Sequence, residues 1–129
     1  MENKIRSFED LIVWQKAIEF VKQVYLVTNQ GDLKRDFGLR DQMRRASVSI
    51  PTNIAEGFER SSRKEYLLFL NIAKGSAGEM RSLIRVALEV RYFSRETHDQ
   101  LRAGAMTLSR YLFNQIASIR NAPARPRNE

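Results

Sequence analysis

The side chains able to perform catalytic chemistry are few in this chain of 129 residues. His98 is its single histidine and cysteine is absent, which excludes thiolate nucleophiles and the usual clusters of metal ligands. Glu56, Glu79 and Asn53 could serve as acid–base groups, but polar side chains that satisfy one another between helices are the favoured interpretation. The glycines of KGSAG, residues 74–78, lack the strand and the lysine that a phosphate loop requires. The sequence therefore predicts a protein that is not an enzyme, with no metal, no cofactor and no small-molecule substrate.

Basic side chains offer another chemistry, which is the binding of phosphate groups. Lysine and arginine number 22 against 15 aspartates and glutamates, and the net charge of +7 favours an acidic partner such as nucleic acid. Some basic side chains surround a predicted helix start at Ser62, where free N–H groups and the helix dipole attract anions, and others form a stripe along the same helix. Phe58 and Tyr66 lie near that start and offer stacking surface. The candidate nucleic-acid-binding residues are Arg60, Arg63, Lys64, Lys74, Arg81 and Arg85. The alternative is a basic surface that only keeps the protein soluble.

Helical elements must position these side chains. Apolar residues that recur in steps of three and four predict helices at about 8–28, 39–58 and 94–120, and a capping box of Ser62 and Glu65 starts another between the last two. Short connections make neighbouring helices antiparallel. The predicted fold is an all-α, up-down-up-down antiparallel four-helix bundle over residues 1–121, followed by a disordered basic tail at 122–129. In the first helix the predicted core line is Leu11, Trp14, Ile18, Val21 and Tyr25.

The third helix carries more apolar surface than one bundle can bury. A second apolar stripe borders its core line, and the two together exceed the arc of roughly 100° that a surface helix needs. The residues of this stripe, the predicted oligomer interface, are Leu68, Ile72, Leu83, Val86 and Val90. No helix is central in a four-helix bundle, so the extra apolar surface predicts contact with another subunit and a homo-oligomer.

A polar stripe borders the core line of the second helix, which also contains Pro51. We expect the proline to lie on the side away from the core, to remove one helical hydrogen bond and to bend the helix. The small residues at 75–78 of the third helix are predicted to let the two backbones come close. Arg45 is the candidate partner of Glu79, which lies between apolar residues. The predicted interhelical polar network consists of Arg45, Ser49, Asn53, Glu56 and Glu79.

Several short strings of the sequence resemble one family of bacterial proteins. They are FEDL at 8–11, VWQKA at 13–17, QMRRA at 42–46, SIPTNIAEG at 49–57, and GS at 75–76 with Glu79. They resemble the four-helix-bundle proteins encoded in intervening sequences of 23S ribosomal RNA genes. The resemblance implies a bundle that assembles as a ring, typically a pentamer, without an established enzymatic activity. A related bundle, the accessory variability protein of diversity-generating retroelements, is a basic pentamer that binds nucleic acid and works with a reverse transcriptase.

These observations lead to two functional hypotheses. The first is a homo-oligomer, a pentamer by resemblance, that binds RNA or DNA through its basic surface. The alternative is a structural or adaptor protein that contacts other proteins and binds no nucleic acid. We expect a cytoplasmic protein without a membrane partner, because the first ten residues carry charges throughout, no apolar run approaches about 18 residues and cysteine is absent.

Overall fold

The computed structural model describes residues 4–123, and all regular secondary structure in that range is helical. Its long helices are α1 (Ile12–Thr28), α2 (Phe37–Phe58), α3 (Arg63–Glu89) and α4 (Arg95–Asn121). Short 3₁₀ turns at Phe8–Asp10 and Gly31–Arg35 precede α1 and α2. The prediction of an all-α four-helix bundle is confirmed. Residues 124–129 of the predicted tail lie outside the described part of the chain.

Side-chain caps begin three of these helices. The side chains of Asp36, Ser62 and Ser94 each accept a hydrogen bond from a backbone N–H three residues further on, at 3.1 Å in every case. Such a cap satisfies one of the N–H groups that have no partner inside the helix. The cap at Ser62 is the predicted start of α3.

The helices pack in chain order, and α1 also packs on α4, which closes the bundle. The contacts between α2 and α3 show their relative direction. Ser49 and Ser76 meet near the middle of the two helices, whereas Asp36 at the start of α2 bonds to Tyr92 just beyond the end of α3. The two helices therefore run in opposite directions, as their short connection requires.

The core line of α1 differs from the predicted one. Its buried residues are Val13, Ala17, Phe20, Val24 and Thr28, whereas Leu11 is the one predicted residue that is buried. Apolar residues cover more than half of α1, so periodicity alone does not choose which of them face inward. The packing of Phe20 selects the face of α1 that points inward, because Cδ1 of Phe20 lies 3.0 Å from the position that a Cβ of Gly104 would occupy. A large ring on one helix fills the space left by a glycine on the other.

Pro51 is buried within an unbroken α2, so the prediction that it lies away from the core is wrong. The pyrrolidine ring is apolar and has no N–H that would need a partner, which makes it a suitable residue for the interior. The hydroxyl of Ser47, also buried, donates to the carbonyl of Arg44 at 2.9 Å. The buried hydroxyl of Ser47, one turn before Pro51, therefore has a hydrogen-bond partner within α2.

The close approach of α2 and α3 occurs at Gly57, not at the glycines of α3. A Cβ at Gly57 would lie 2.7 Å from Cβ of Phe69 and 3.1 Å from Cδ1 of Tyr66. Gly75 has nothing within 4 Å of its Cβ position, and Gly78 has only the guanidinium of Arg81, at 3.7 Å. The prediction that residues 75–78 provide the close approach is therefore wrong for both glycines. Their spacing along α3 points them away from α2, whereas the hydroxyl of Ser76 meets that of Ser49 on α2.

The end of α3 is fastened to the start of α2. Arg91 adopts a left-handed backbone conformation with φ 65°, and the N–H of Tyr92 donates to the carbonyl of Ala87 at 2.9 Å. This reversal brings the hydroxyl of Tyr92 to Asp36, to which it donates at 2.7 Å. The N–H of Leu39 and this hydroxyl lower the pKa of Asp36, while the bond to the carboxylate raises the pKa of Tyr92. The hydrogen bond between Tyr92 and Asp36 fixes the position of α3 along the axis of α2.

We expect Gly57→Ala to lower the free energy of unfolding by about 1–3 kcal/mol, because the added methyl group must push α3 away from α2. The measurement is denaturant unfolding followed by circular dichroism. Gly78→Ala is the matched control, since an open glycine in a helix should gain up to about 1 kcal/mol when it becomes alanine. Equal stability of the two variants would contradict a tight contact at Gly57.

Candidate nucleic-acid interface

Two contacts between α3 and α4 place cations of α3 against side chains of α4. The ammonium of Lys74 lies 5.3 Å from the ring centroid of Phe113, and a guanidinium N–H of Arg81 donates to Sδ of Met106 at 2.8 Å. The two α3 residues are seven positions apart, and so are their α4 partners in the reverse direction. The helices are therefore antiparallel, and a cation of α3 lies against an apolar side chain of α4 at each heptad.

Two further predicted residues extend this line at its ends. Arg85 lies one turn beyond Arg81, where its Nε donates to Glu89 at 2.9 Å. Arg63, at the other end of α3, donates to the carbonyl of Pro123, which follows α4, at 2.7 Å. The four residues of the predicted stripe thus lie along the side of α3 that faces α4.

Arg60 and Lys64 belong to a different surface from the stripe. Arg60 lies 3.4 Å from Glu56 and 3.9 Å from Glu65, with its guanidinium 4.9 Å from the ring of Phe69. Its charge is therefore shared with two carboxylates on the α2 side of α3. Lys64 is exposed at the helix start, where the side chain of Ser62 already accepts from the N–H of Glu65. The structure does not bring these groups together as the predicted phosphate pocket.

The facing side of α4 adds further arginines, which were not among the predicted binding residues. Residues 100–121 contain no aspartate or glutamate and three arginines. Arg102 lies one turn before Met106, opposite Arg85, and Arg120 lies two turns beyond Phe113 on the same face. The absence of acids over six turns was a readable signal in the sequence. We call this surface the basic groove, and its residues are Arg63, Lys74, Arg81, Arg85, Arg102, Phe113 and Arg120.

The predicted polar network is partly formed. The hydroxyls of Ser49 and Ser76 are 2.9 Å apart, and Nδ2 of Asn53 donates to the carbonyl and the hydroxyl of Ser49 at 2.8 and 2.9 Å. These three side chains join the middle of α2 to the middle of α3. Ser76 was not among the predicted network residues, although its string of small residues was the indication of a helix contact.

The charged members of the predicted network lie outside it. Arg45, Glu56 and Glu79 are all exposed. Within the described residues, the ion pair that involves one of them joins Glu56 to Arg60, just beyond the end of α2. The predicted pair of Arg45 and Glu79 does not form in the described part of the chain. Water solvates charges at the rim of a helix contact, so these groups need no partner in the protein.

The second apolar stripe of α3 is largely exposed. Leu68, Ile72, Val86 and Val90 have exposed fractions between 43% and 58%. Leu83 is buried at 7% and belongs to the core, so its assignment to a subunit interface is wrong. It lies seven residues beyond Ser76, on the flank of α3 that packs against α2. We call Leu68, Ile72, Val86 and Val90 the outer apolar face.

His98 lies in the first turn of α4 and is buried. Its exposed fraction is 5%, and Nδ1 lies 2.8 Å from a carboxylate oxygen of Asp99. Within residues 4–123, no group of three or more histidine, cysteine, aspartate or glutamate side chains could hold a metal ion. The same residues include no helix that is long and apolar enough to cross a membrane.

The fold and its surfaces define a helical bundle with a basic groove on one side and an apolar face on another. The model of the 23S rRNA-intervening sequence protein family matches residues 9–114, and the chain belongs to this family. A similar solved structure is a protein of unknown function from the S23 ribosomal protein family of Bacteroides thetaiotaomicron, with 25% identity and a TM-score of 0.76. The match covers 82% of this chain and 96% of that one. Among curated proteins there is no significant match.

The polar contact of α2 and α3 should contribute to stability, whereas the exposed charges beside it should not. We expect Asn53→Ala to lower the free energy of unfolding by about 1 kcal/mol, because the hydroxyl of Ser49 loses a partner in a half-buried site. Glu56→Ala, the control on the same helix, should change it by about 0.5 kcal/mol or less. Thermal and denaturant unfolding measure both. A larger loss for Glu56→Ala would place that carboxylate in the interhelical contact after all.

Proposed function

We propose that the protein is a non-enzymatic homo-oligomer that binds nucleic acid along the basic groove. The observation that carries this proposal is the alignment of positive charge on two neighbouring helices, one of which has no acidic residue over positions 100–121. Cations on both walls of a groove suit a phosphate backbone that runs along it. Among the described residues, the ion pair within the groove joins Glu89 to Arg85, so the other cations of the groove keep their charge available for phosphate.

Binding of this kind does not read sequence. The groove presents lysine and arginine, which contact phosphates, and counterion release supplies the free energy. Each contact is weak, so several copies of the groove in one assembly would raise the affinity. The family description refers to an intervening sequence of a ribosomal RNA, and the structural relative is assigned to a ribosomal protein family. RNA is therefore the first nucleic acid to test.

The outer apolar face supports the assembly. Gly75 lies on this face, three residues beyond Ile72, with nothing within 4 Å of its Cβ position. A glycine inside a helix costs up to about 1 kcal/mol relative to alanine, and no contact within the described chain explains it. The backbone of a second copy could come close at this point and occupy the space that a Cβ of residue 75 would fill. The face therefore suits another subunit, and the family resemblance implies a pentamer.

Neutralising the groove should reduce the salt dependence of binding. We expect replacement of Arg81, Arg102 and Arg120 by glutamine to lower the slope of log affinity against log salt by about 2–3 units, close to one per lost phosphate contact. The measurement is fluorescence anisotropy with short labelled RNA and DNA over a salt series.

The matched control removes the same charge elsewhere. Replacement of Lys22, Lys34 and Arg35, which lie on α1 and the turn after it, should leave the slope nearly unchanged. Equal slopes for the two triple variants would mean that binding depends only on net charge. Absence of binding at low salt by the intact oligomer would favour the alternative, a structural or adaptor protein.

Changes on the outer apolar face should separate assembly from folding. Ile72→Asp should yield folded monomers, because a carboxylate cannot be buried unpaired in an apolar interface. Gly75→Ala should raise the stability of the isolated chain yet weaken the assembly, since its methyl group occupies the space of the neighbouring subunit. Light scattering measures the mass, and Gly78→Ala, on another face of α3, should leave it unchanged. Parental mass for both Ile72→Asp and Gly75→Ala would exclude this face as the interface.

A further inference from the structure

Phe113 is an aromatic side chain that is largely exposed to solvent. Its exposed fraction is 59%, although other aromatic side chains, among them Trp14, Phe58 and Tyr66, pack against the core. The ring lies on the α3 side of α4, with the ammonium of Lys74 at 5.3 Å from its centroid. Single exposed apolar side chains are common on protein surfaces, so exposure alone does not indicate a ligand. The setting of the ring does, because Lys74 lies beside it and residues 100–121 contain no acidic side chain.

We infer that Phe113 is a stacking platform for an unpaired base, so that the basic groove prefers single-stranded over duplex nucleic acid. This inference rests on the proposed function, because it names the form of nucleic acid that the groove would take. An aromatic side chain stacks on any base whose face is free, without reading its sequence. In a duplex the faces are covered by neighbouring base pairs, and only the phosphates are available.

The neighbours of Phe113 suit such a strand. Lys74 is close enough to neutralise the phosphate next to a base that lies on the ring. Met106 and Arg81 repeat the arrangement seven residues away, about 10 Å along the helices, with a polarisable thioether in place of the ring. A single strand that follows the groove would therefore meet a cation and an apolar surface at each of two positions.

A second exposed phenylalanine shows that exposure alone does not make a platform. Phe37 has an exposed fraction of 63%, and the guanidinium of Arg40 lies 4.7 Å from its ring centroid. That guanidinium, however, is held by Asp41 at 3.0 Å, and Asp36 directly precedes the ring in the chain. The carboxylates repel phosphate there. Phe37 is thus as exposed as Phe113, but it lies beside carboxylates, whereas Phe113 lies beside the ammonium of Lys74.

The experiment compares Phe113→Leu with Phe37→Leu in the full chain, using fluorescence anisotropy at low salt. The probes are a short labelled single-stranded RNA and the duplex formed with its complement. The parent should bind the single strand more tightly than the duplex. Phe113→Leu should weaken single-strand binding by about 5- to 100-fold and leave duplex binding unchanged, as the loss of one stacked base requires. Phe37→Leu should change neither, and circular dichroism confirms that both variants fold.

The outcomes separate the inference from the proposed function. If Phe113→Leu binds the single strand like the parent, or weakens both probes equally, the stacking role is wrong while nucleic-acid binding stands. Equal affinity of the parent for both probes would also overturn the preference. If the parent binds neither probe, the proposed function and this inference fail together.

Discussion

The close contact of α2 and α3 is the constraint on which the rest of the structure depends. Gly57 lets the two backbones approach until only a hydrogen atom fits between that glycine and the side chain of Phe69. The hydrogen bond between Ser49 and Ser76 fixes the register further along, and the bond between Asp36 and Tyr92 fixes it at the far end. With three ties along about 30 Å of helix, α3 can neither slide nor roll against α2. Its other faces are thereby assigned to α4 and to the surface.

This assignment places two different surfaces on opposite flanks of α3. The flank of α3 beside α4 carries Lys74 and Arg81, whose charges rest against apolar side chains of that helix. The flank beyond α2 carries Ile72 and Val86, which remain 43% and 44% exposed. An interface between subunits and a groove for phosphate would conflict if they shared a face, because one needs apolar burial and the other needs hydrated charge. On α3 the two faces lie apart, so the proposed assembly would leave the proposed binding groove open.

Much of this arrangement was predictable, and the failures have physical causes. The stripe of Arg63, Lys74, Arg81 and Arg85 follows from helical spacing alone. In the structure the first three contact α4 or the residue that follows it, and Arg85 lies one turn beyond Arg81. Arg60 lies apart from this stripe, because it belongs to the turn before α3 and pairs with Glu56 of α2 and Glu65 of α3. Spacing along α3 alone does not report such a contact between two helices and a turn. Phe113 was overlooked, since an aromatic residue in an apolar pattern is ordinarily a core residue. The exposure of the ring depends on how α4 is rotated about its own axis against the other helices, which the tertiary structure shows.

By itself, the sequence determined the helical class, the caps that start α3, the excess of positive charge and the apolar surplus of α3. These properties depend on neighbours within one or two turns, and composition and periodicity report them directly. The tertiary structure decided which apolar line of α1 faces inward, that Leu83 and Pro51 are buried, and that Gly57 rather than Gly75 makes the close contact. Each of these depends on a residue from another helix. Periodicity leaves the rotation of a helix free within a wide apolar arc, and only the shape of the partner selects one angle.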